Sequence, residues 1–161
     1  MAFLHTRIMA ILDGQGVVYC LLPHSAPAFT VEAAARTRGV ARETMVKSIL
    51  LRDRTHRFVL ACVAGDARVD LQAVRDCLGG TWKRLTFAND EEIEAVTGCP
   101  CGAVAPIGMP EDVPVLFDEA LTRHERVSIS SGDLMLGLEL DAANLLRVAH
   151  ARLARIATRV A

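Results

Sequence analysis

Lysine is almost missing from this chain. Of its 18 basic residues only Lys47 and Lys83 are lysines, so arginine carries nearly all of the positive charge. Long apolar runs are missing as well. None approaches the roughly 20 residues that cross a bilayer, and the opening Met1-Ala2-Phe3-Leu4-His5-Thr6-Arg7 lacks the charged region and long apolar core of a secretory signal. The expected location is the cytoplasm, with no membrane involved. The five cysteines, Cys20, Cys62, Cys77, Cys99 and Cys101, are an odd number, and three sit in apolar stretches where a reduced thiol behaves as a small hydrophobe. A disulfide framework is therefore not expected. Cys99-Pro100-Cys101 leaves one residue between its thiols, where paired zinc ligands usually leave two or more, and no second pair accompanies it. With His5, His24, His56, His124 and His150 scattered along the chain, neither a zinc site nor a dithiol redox centre is indicated. No glycine-rich phosphate loop is present, because residues 98–102 match neither nucleotide-binding fingerprint, and NTP and NAD chemistry go unsupported.

What is present fits one globular domain over residues 1–161: about half of the residues are hydrophobic, enough for a continuous core. The net charge of −1 hides an asymmetry. Residues 1–85 carry 12 Lys/Arg against 7 Asp/Glu, and residues 86–161 carry 6 against 12. Such a split hints at a polyanionic partner, although Arg36, Arg38, Arg42, Arg52, Arg54 and Arg57 also read as ordinary solvated positions.

Periodicity and turn residues give the element order. Phe3, Leu4, Ile8, Ile11 and Leu12 recur at helical spacing up to Asp13-Gly14. Strands are expected at residues 17–22, 45–51 and 58–63, with Thr30 capping a helix that Gly39 ends. Asp70 starts a third helix that stops at Gly79-Gly80, and Asn89 or Asp90 caps a fourth, closed by Gly98. Further strands are expected at residues 82–87, 102–107, 114–118, 126–129 and 134–140. Asp141 should cap a long last helix whose apolar stripe is Leu145, Leu146, Val148, Leu153, Ile156 and Val160. Elements that neither alternate strictly nor segregate point to a mixed α+β (α/β) domain with a mixed sheet.

Lys47 is the residue most in need of an explanation. In a strand, Met45, Lys47, Ile49 and Leu51 share a face, which sets an ammonium among apolar neighbours. It must snorkel to solvent, meet a carboxylate, or line a cleft where a substrate supplies acceptors. Residues 98–108 bear three glycines and residues 128–133 bear Gly132 among serines, and each could expose backbone amides able to stabilise an oxyanion; taken singly they also read as plain turns.

Taken in order, Val46-Lys47-Ser48, Gly65-Asp66, Val69-Asp70-Leu71, Thr97-Gly98, residues 102–108, residues 115–121, Ser130-Ser131-Gly132-Asp133 and residues 140–145 resemble the YbaK/ProX family, over roughly residues 17–150. Its members are trans-editing aminoacyl-tRNA deacylases, related to the editing domain of bacterial prolyl-tRNA synthetase. The resemblance implies a curved mixed sheet or partial barrel surrounded by helices, with Lys47 as the essential catalytic lysine. It further implies a substrate cleft drawn from His24, Ser48, Gly102, Ala103, Ser130 and Gly132, with no metal or organic cofactor. His24 also has a purely structural reading, as a hydrogen-bonding residue beside a helix. The implied reaction is hydrolysis of the ester joining a small, wrong amino acid to tRNA. The implied partners are the tRNA acceptor end and, as a further candidate, an aminoacyl-tRNA synthetase. Residues 133–137 depart from the basic, glycine-containing turn of the cysteinyl-tRNA-clearing branch, so cysteine specificity does not carry over. A non-catalytic amino-acid-sensing or synthetase-associated binding module is the alternative, because a domain can keep its cleft and lose its chemistry.

Overall fold

The computed structural model describes residues 5–159. The expected helical positions Phe3 and Leu4, and Val160 of the expected last stripe, lie outside the described residues. Helix α1 (Arg7–Gly14) is capped by the Thr6 hydroxyl and leads to β1 (Cys20–Pro23). Helix α2 (Val31–Arg38) starts where the Thr30 hydroxyl accepts from the Ala33 amide. Strands β2 (Val46–Arg52), β3 (Phe58–Ala64) and β4 (Ala67–Val69) follow, then α3 (Leu71–Leu78), β5 (Thr86–Phe87) and α4 (Asp90–Thr97). The start of α4 is a reciprocal capping box between Asn89 and Glu92. Strands β6 (Val115–Asp118), β7 (Arg126–Asp133) and β8 (Leu136–Asp141) lead to α5 (Ala142–Val148), β9 (Arg152–Ala154) and β10 (Ala157–Arg159).

Among the described residues the strands form three sheets, and the architecture is the expected compact mixed α/β domain, with no closed barrel. Five strands run in the order β5-β2-β3-β6-β9, three in the order β1-β8-β7, and β10 pairs with β4. The mixed character is as expected: β6 is parallel to both β3 and β9, and the other pairings are antiparallel. A bridge from Met45, at the head of β2, to Ser128 of β7 joins the two larger sheets. Their inner faces share one core, in which Leu51, Val59, Leu60, Ile129, Leu138 and Leu140 are completely enclosed. A smaller apolar cluster of Ala28, Ala34, Ala35 and Met45 packs under α2.

Three expected elements are corrected. Residues 82–85 do not pair; only Thr86 and Phe87 join β2, while Trp82 is buried with the Arg57 guanidinium 4.0 Å above its ring. Residues 102–107 form no strand, although Ala105 and Ile107 reach the core from an irregular segment. The long last helix stops at Val148. His150 takes a left-handed φ of 52°, and the chain then runs as β9 alongside β6. Asp118 makes this turn-back favourable: its buried carboxylate accepts from the amides of Ile156 (3.0 Å) and Ala157 (3.1 Å) as well as Ala120. Long-range pairing thus overrides a helical stripe that was real in the sequence. Asp141 makes no side-chain cap either, and pairs instead with Arg126 at 3.1 Å.

The β2–β3 turn is held by a second buried carboxylate. Asp53, 2% exposed, accepts from the amides of Thr55, Arg57 and Lys83 and from the Thr55 hydroxyl. Burial alone would push its pKa up. The four donors outweigh that and bring it down from 3.8 to about 2. A carboxylate depressed in the folded state stabilises above its unfolded pKa, and that contribution, about 2 kcal/mol here, is lost as pH falls from near 4 through 2. Urea unfolding of wild type and Asp53→Asn at pH 7 and pH 3 should therefore show the wild-type advantage shrinking at the lower pH; an equal difference at both would exclude this role.

Candidate active site

A cleft of about 290 Å³ is lined by the start of α2, the first half of β2 and the loop after α4. Lys47, Ser48, Gly102 and Ser130 all line it, although they come from three separate stretches of chain. The remaining expected residues, His24, Ala103 and Gly132, do not.

Lys47 sits opposite Val63 in the β2–β3 ladder, and its half-buried ammonium donates to the Ala67 carbonyl at the head of β4. One of its three donors is thereby used, leaving two for a ligand. Burial holds its pKa below the ordinary lysine value, opposed by Glu32 and Asp66 and reinforced by Arg68 and Arg42. Ser48 faces Cys62 across the ladder, the thiol lying 3.7 Å from its hydroxyl. Burial pushes that thiol up to about 12, so Cys62 stays protonated and is no nucleophile at neutral pH.

Ser130 reaches the cleft through a bulge. The β7–β8 register shifts between Ser130 and Asp133, and Ser131 turns inward, its hydroxyl donating to the Leu136 carbonyl at 2.7 Å. Ala103 and Gly132 meet each other behind the cleft: the Gly132 amide donates to the Ala103 carbonyl at 3.1 Å, and the Ala103 amide donates to Pro100 at 3.0 Å. Both expected amides are thus spent on holding the 98–104 loop against the β7 bulge. Gly102 is the glycine of that loop that lines the cleft, with φ +92°, and a Cβ there would lie 3.3 Å from Leu134.

His24 lies one layer back. It is buried, its Nδ1 donates to the Leu134 carbonyl at 2.7 Å, and its Nε2 accepts from Arg38 Nε at 2.9 Å. Burial lowers its pKa, which keeps the ring neutral and Nε2 free to accept. Arg38 itself lines the cleft and donates through Nη1 to the buried Ser128 hydroxyl at 2.7 Å. As a sequence position it read as solvated surface. The available signal was Gly137, a lone glycine inside a strand, which often marks a close approach: any Cβ there would collide with the Arg38 guanidinium. Phe29 and Phe87, 68% and 61% exposed, also line the cleft and were not anticipated.

Residues 25–148 match the model of the aminoacyl-tRNA editing domain. The chain belongs to this family. It is 28% identical over 153 residues to the multifunctional Ser/Thr-tRNA deacylase ProXp-y of Escherichia coli, a match that spans 92% of this chain and 90% of that one. It is also 35% identical over 83 residues to a segment of the proline–tRNA ligase of Pelobacter propionicus, covering 52% of this chain and 14% of the ligase. A crystal structure titled as a candidate trans-editing enzyme for prolyl-tRNA synthetase superposes with a TM-score of 0.82 at 25% identity, covering 94% of this chain and 95% of that one. The matched span of the editing family runs from the loop before α2 to the end of α5, and so contains every lining residue of the cleft.

Because Gly102 combines a left-handed backbone with a close neighbour, Gly102→Ala should cost about 1 to 2 kcal/mol in stability and narrow the cleft at Leu134. A urea midpoint that moves down with an unchanged slope checks the first part; an unmoved midpoint would mean the loop relaxes freely.

Proposed function

We propose that the cleft hydrolyses, in trans, the ester between a small mischarged amino acid and the terminal ribose of tRNA, with Lys47 as the catalytic cation. The observation that carries this reading is the meeting of Lys47, Gly102 and Ser130 in one cavity of a chain that belongs to the aminoacyl-tRNA editing family. Water adds to the ester carbonyl, the acyl C–O bond breaks, and the ribose oxygen leaves with a proton, giving free amino acid and uncharged tRNA. Lys47 stabilises the negative charge that grows on the carbonyl oxygen, or anchors the terminal phosphate beside it. Gly102 lines the same cleft, where a backbone amide aimed at the carbonyl oxygen would contribute about 3 to 4 kcal/mol. Ser48 and Ser130 offer hydroxyls to the ribose and the α-amino group.

Editing is needed where an apolar synthetase pocket separates substrates differing by one methylene by only about 1 to 3 kcal/mol. A cavity of about 290 Å³ suits a small acyl group. A synthetase that charges the same tRNA is a natural partner in the cytoplasm, since the editing fold also matches a segment of a prolyl-tRNA ligase.

Deacylation of tRNAs charged with alanine, serine, threonine or cysteine tests the reading directly. Wild type should release at least one of them, and Lys47→Ala should lower kcat/KM by about 100-fold or more. Release by both proteins at the same rate would remove Lys47 from the chemistry, and no release from any pair would favour the non-catalytic binding module. Because Lys47 works as a cation, activity should fall as pH rises through its depressed pKa, below the ordinary 10.5; a profile flat to that value would contradict the charge requirement.

A further inference from the structure

Among the described residues Arg38 forms no ion pair. It is half-buried, yet its side-chain hydrogen bonds go to neutral acceptors, His24 Nε2 and Ser128 Oγ. Guanidinium has five N–H donors, so three remain for whatever enters the cleft that Arg38 lines. Its position is firmly set. Neutral His24 holds Nε, Ser128 holds Nη1, and Gly137 leaves the space in which the group lies flat against β8. Burial brings its pKa down to about 10, which still leaves it a cation at neutral pH.

Its depth indicates which part of the substrate it meets. The exposed Phe29 and Phe87 mark the mouth of the cleft, and Arg38, like Lys47, Ser48 and Ser130, is less exposed than either. A terminal nucleotide, with its phosphate, is the bulky part of the substrate and stays at the mouth. The acyl group is the part small enough to pass inward. Of its groups, the carbonyl is claimed by Lys47 and the α-ammonium is repelled by a guanidinium, which leaves the side chain.

We propose that Arg38 is the specificity-determining residue of the cleft and selects an acyl group whose side chain carries an oxygen acceptor, a hydroxyl or a carboxylate. An apolar side chain of the same size would strip water from the guanidinium and return no acceptor, the situation in which polar sites discriminate most strongly. The inference rests on the deacylase reading for the identity of the ligand, but not on turnover.

Binding and hydrolysis are therefore measured separately. Non-hydrolysable adenosines carrying seryl, aspartyl or alanyl groups through a 3′-amide are titrated calorimetrically against wild type, Arg38→Leu and Arg38→Lys. The same three amino acids, esterified to tRNA, are followed in single-turnover deacylation. Wild type should prefer the seryl or aspartyl form over the alanyl form by about 100-fold. The stronger of the two identifies the oxygen as hydroxyl or carboxylate. Arg38→Leu should lose the preference and Arg38→Lys should keep part of it. The preference is a ratio within one protein, so a lower folded fraction in a variant does not imitate the result, and the lysine variant serves if the leucine variant does not fold. Equal binding of all three ligands by wild type, or an undiminished preference in Arg38→Leu, would overturn the proposal. Discrimination in binding without hydrolysis of any ester would instead overturn the deacylase reading while leaving Arg38 in its role.

Discussion

The register of the β2–β3 hairpin is the constraint on which the site depends. Seven residue pairs, from Val46 opposite Ala64 to Arg52 opposite Phe58, run without interruption. Side chains alternate between the two faces of a strand, so a slip of one residue would exchange Lys47 with a core neighbour such as Val46 and bury an ammonium. The hairpin turn resists such a slip because Asp53 sits in it with four donors converging on its carboxylate, one of them from Lys83, outside the hairpin. A buried carboxylate about 20 Å along the strand from the lysine, at roughly 3.4 Å per residue, thus helps to hold the lysine in its cleft.

The same device closes the other side of the five-stranded sheet. Asp118 ends β6 and takes the amides of Ile156 and Ala157, which returns the chain beside β6 and lets β10 pair with β4. β4 begins at Ala67, whose carbonyl receives the Lys47 ammonium. The tail of the chain therefore braces the acceptor that orients the lysine. A residue far from the cleft in sequence and outside it in space contributes to the geometry of the cleft.

Local signals were readable where local chemistry decides. Thr30, Asp70 and Asn89 cap the helices they were expected to cap, because a side-chain oxygen three residues before an amide needs nothing from the rest of the fold. Residues 149–159 depart from the expected helix for the converse reason. Their apolar spacing suits a helix, but two amides there are taken by Asp118, 38 and 39 residues away in sequence, and β pairing prevails over the local pattern. The site divides in the same way. Lys47, Ser48, Gly102 and Ser130, expected from residue type and family order, come together in one cleft, whereas Ala103 and Gly132 turn to each other and His24 lies outside the lining. Arg38 does not stand out in the sequence, because nothing in a helix's last turn distinguishes an arginine that points to water from one that lies on a glycine 99 positions later.

The two cations of the cleft are kept charged by different means, and this separates their roles. Lys47 has carboxylates in electrostatic reach, Glu32 and Asp66, which partly compensate its burial. Such a group is tunable: its protonation responds to its surroundings and its ammonium can follow a moving charge. Arg38 is held by a histidine and a serine, neither of which compensates its charge. It remains cationic only because guanidinium is so weak an acid, and its planar fork presents fixed donor directions. A lysine in its place would lose more charge to the same burial and would lack the geometry. That difference fits the roles proposed for them: the responsive cation where charge would develop during reaction, and the rigid one where a fixed shape would be recognised.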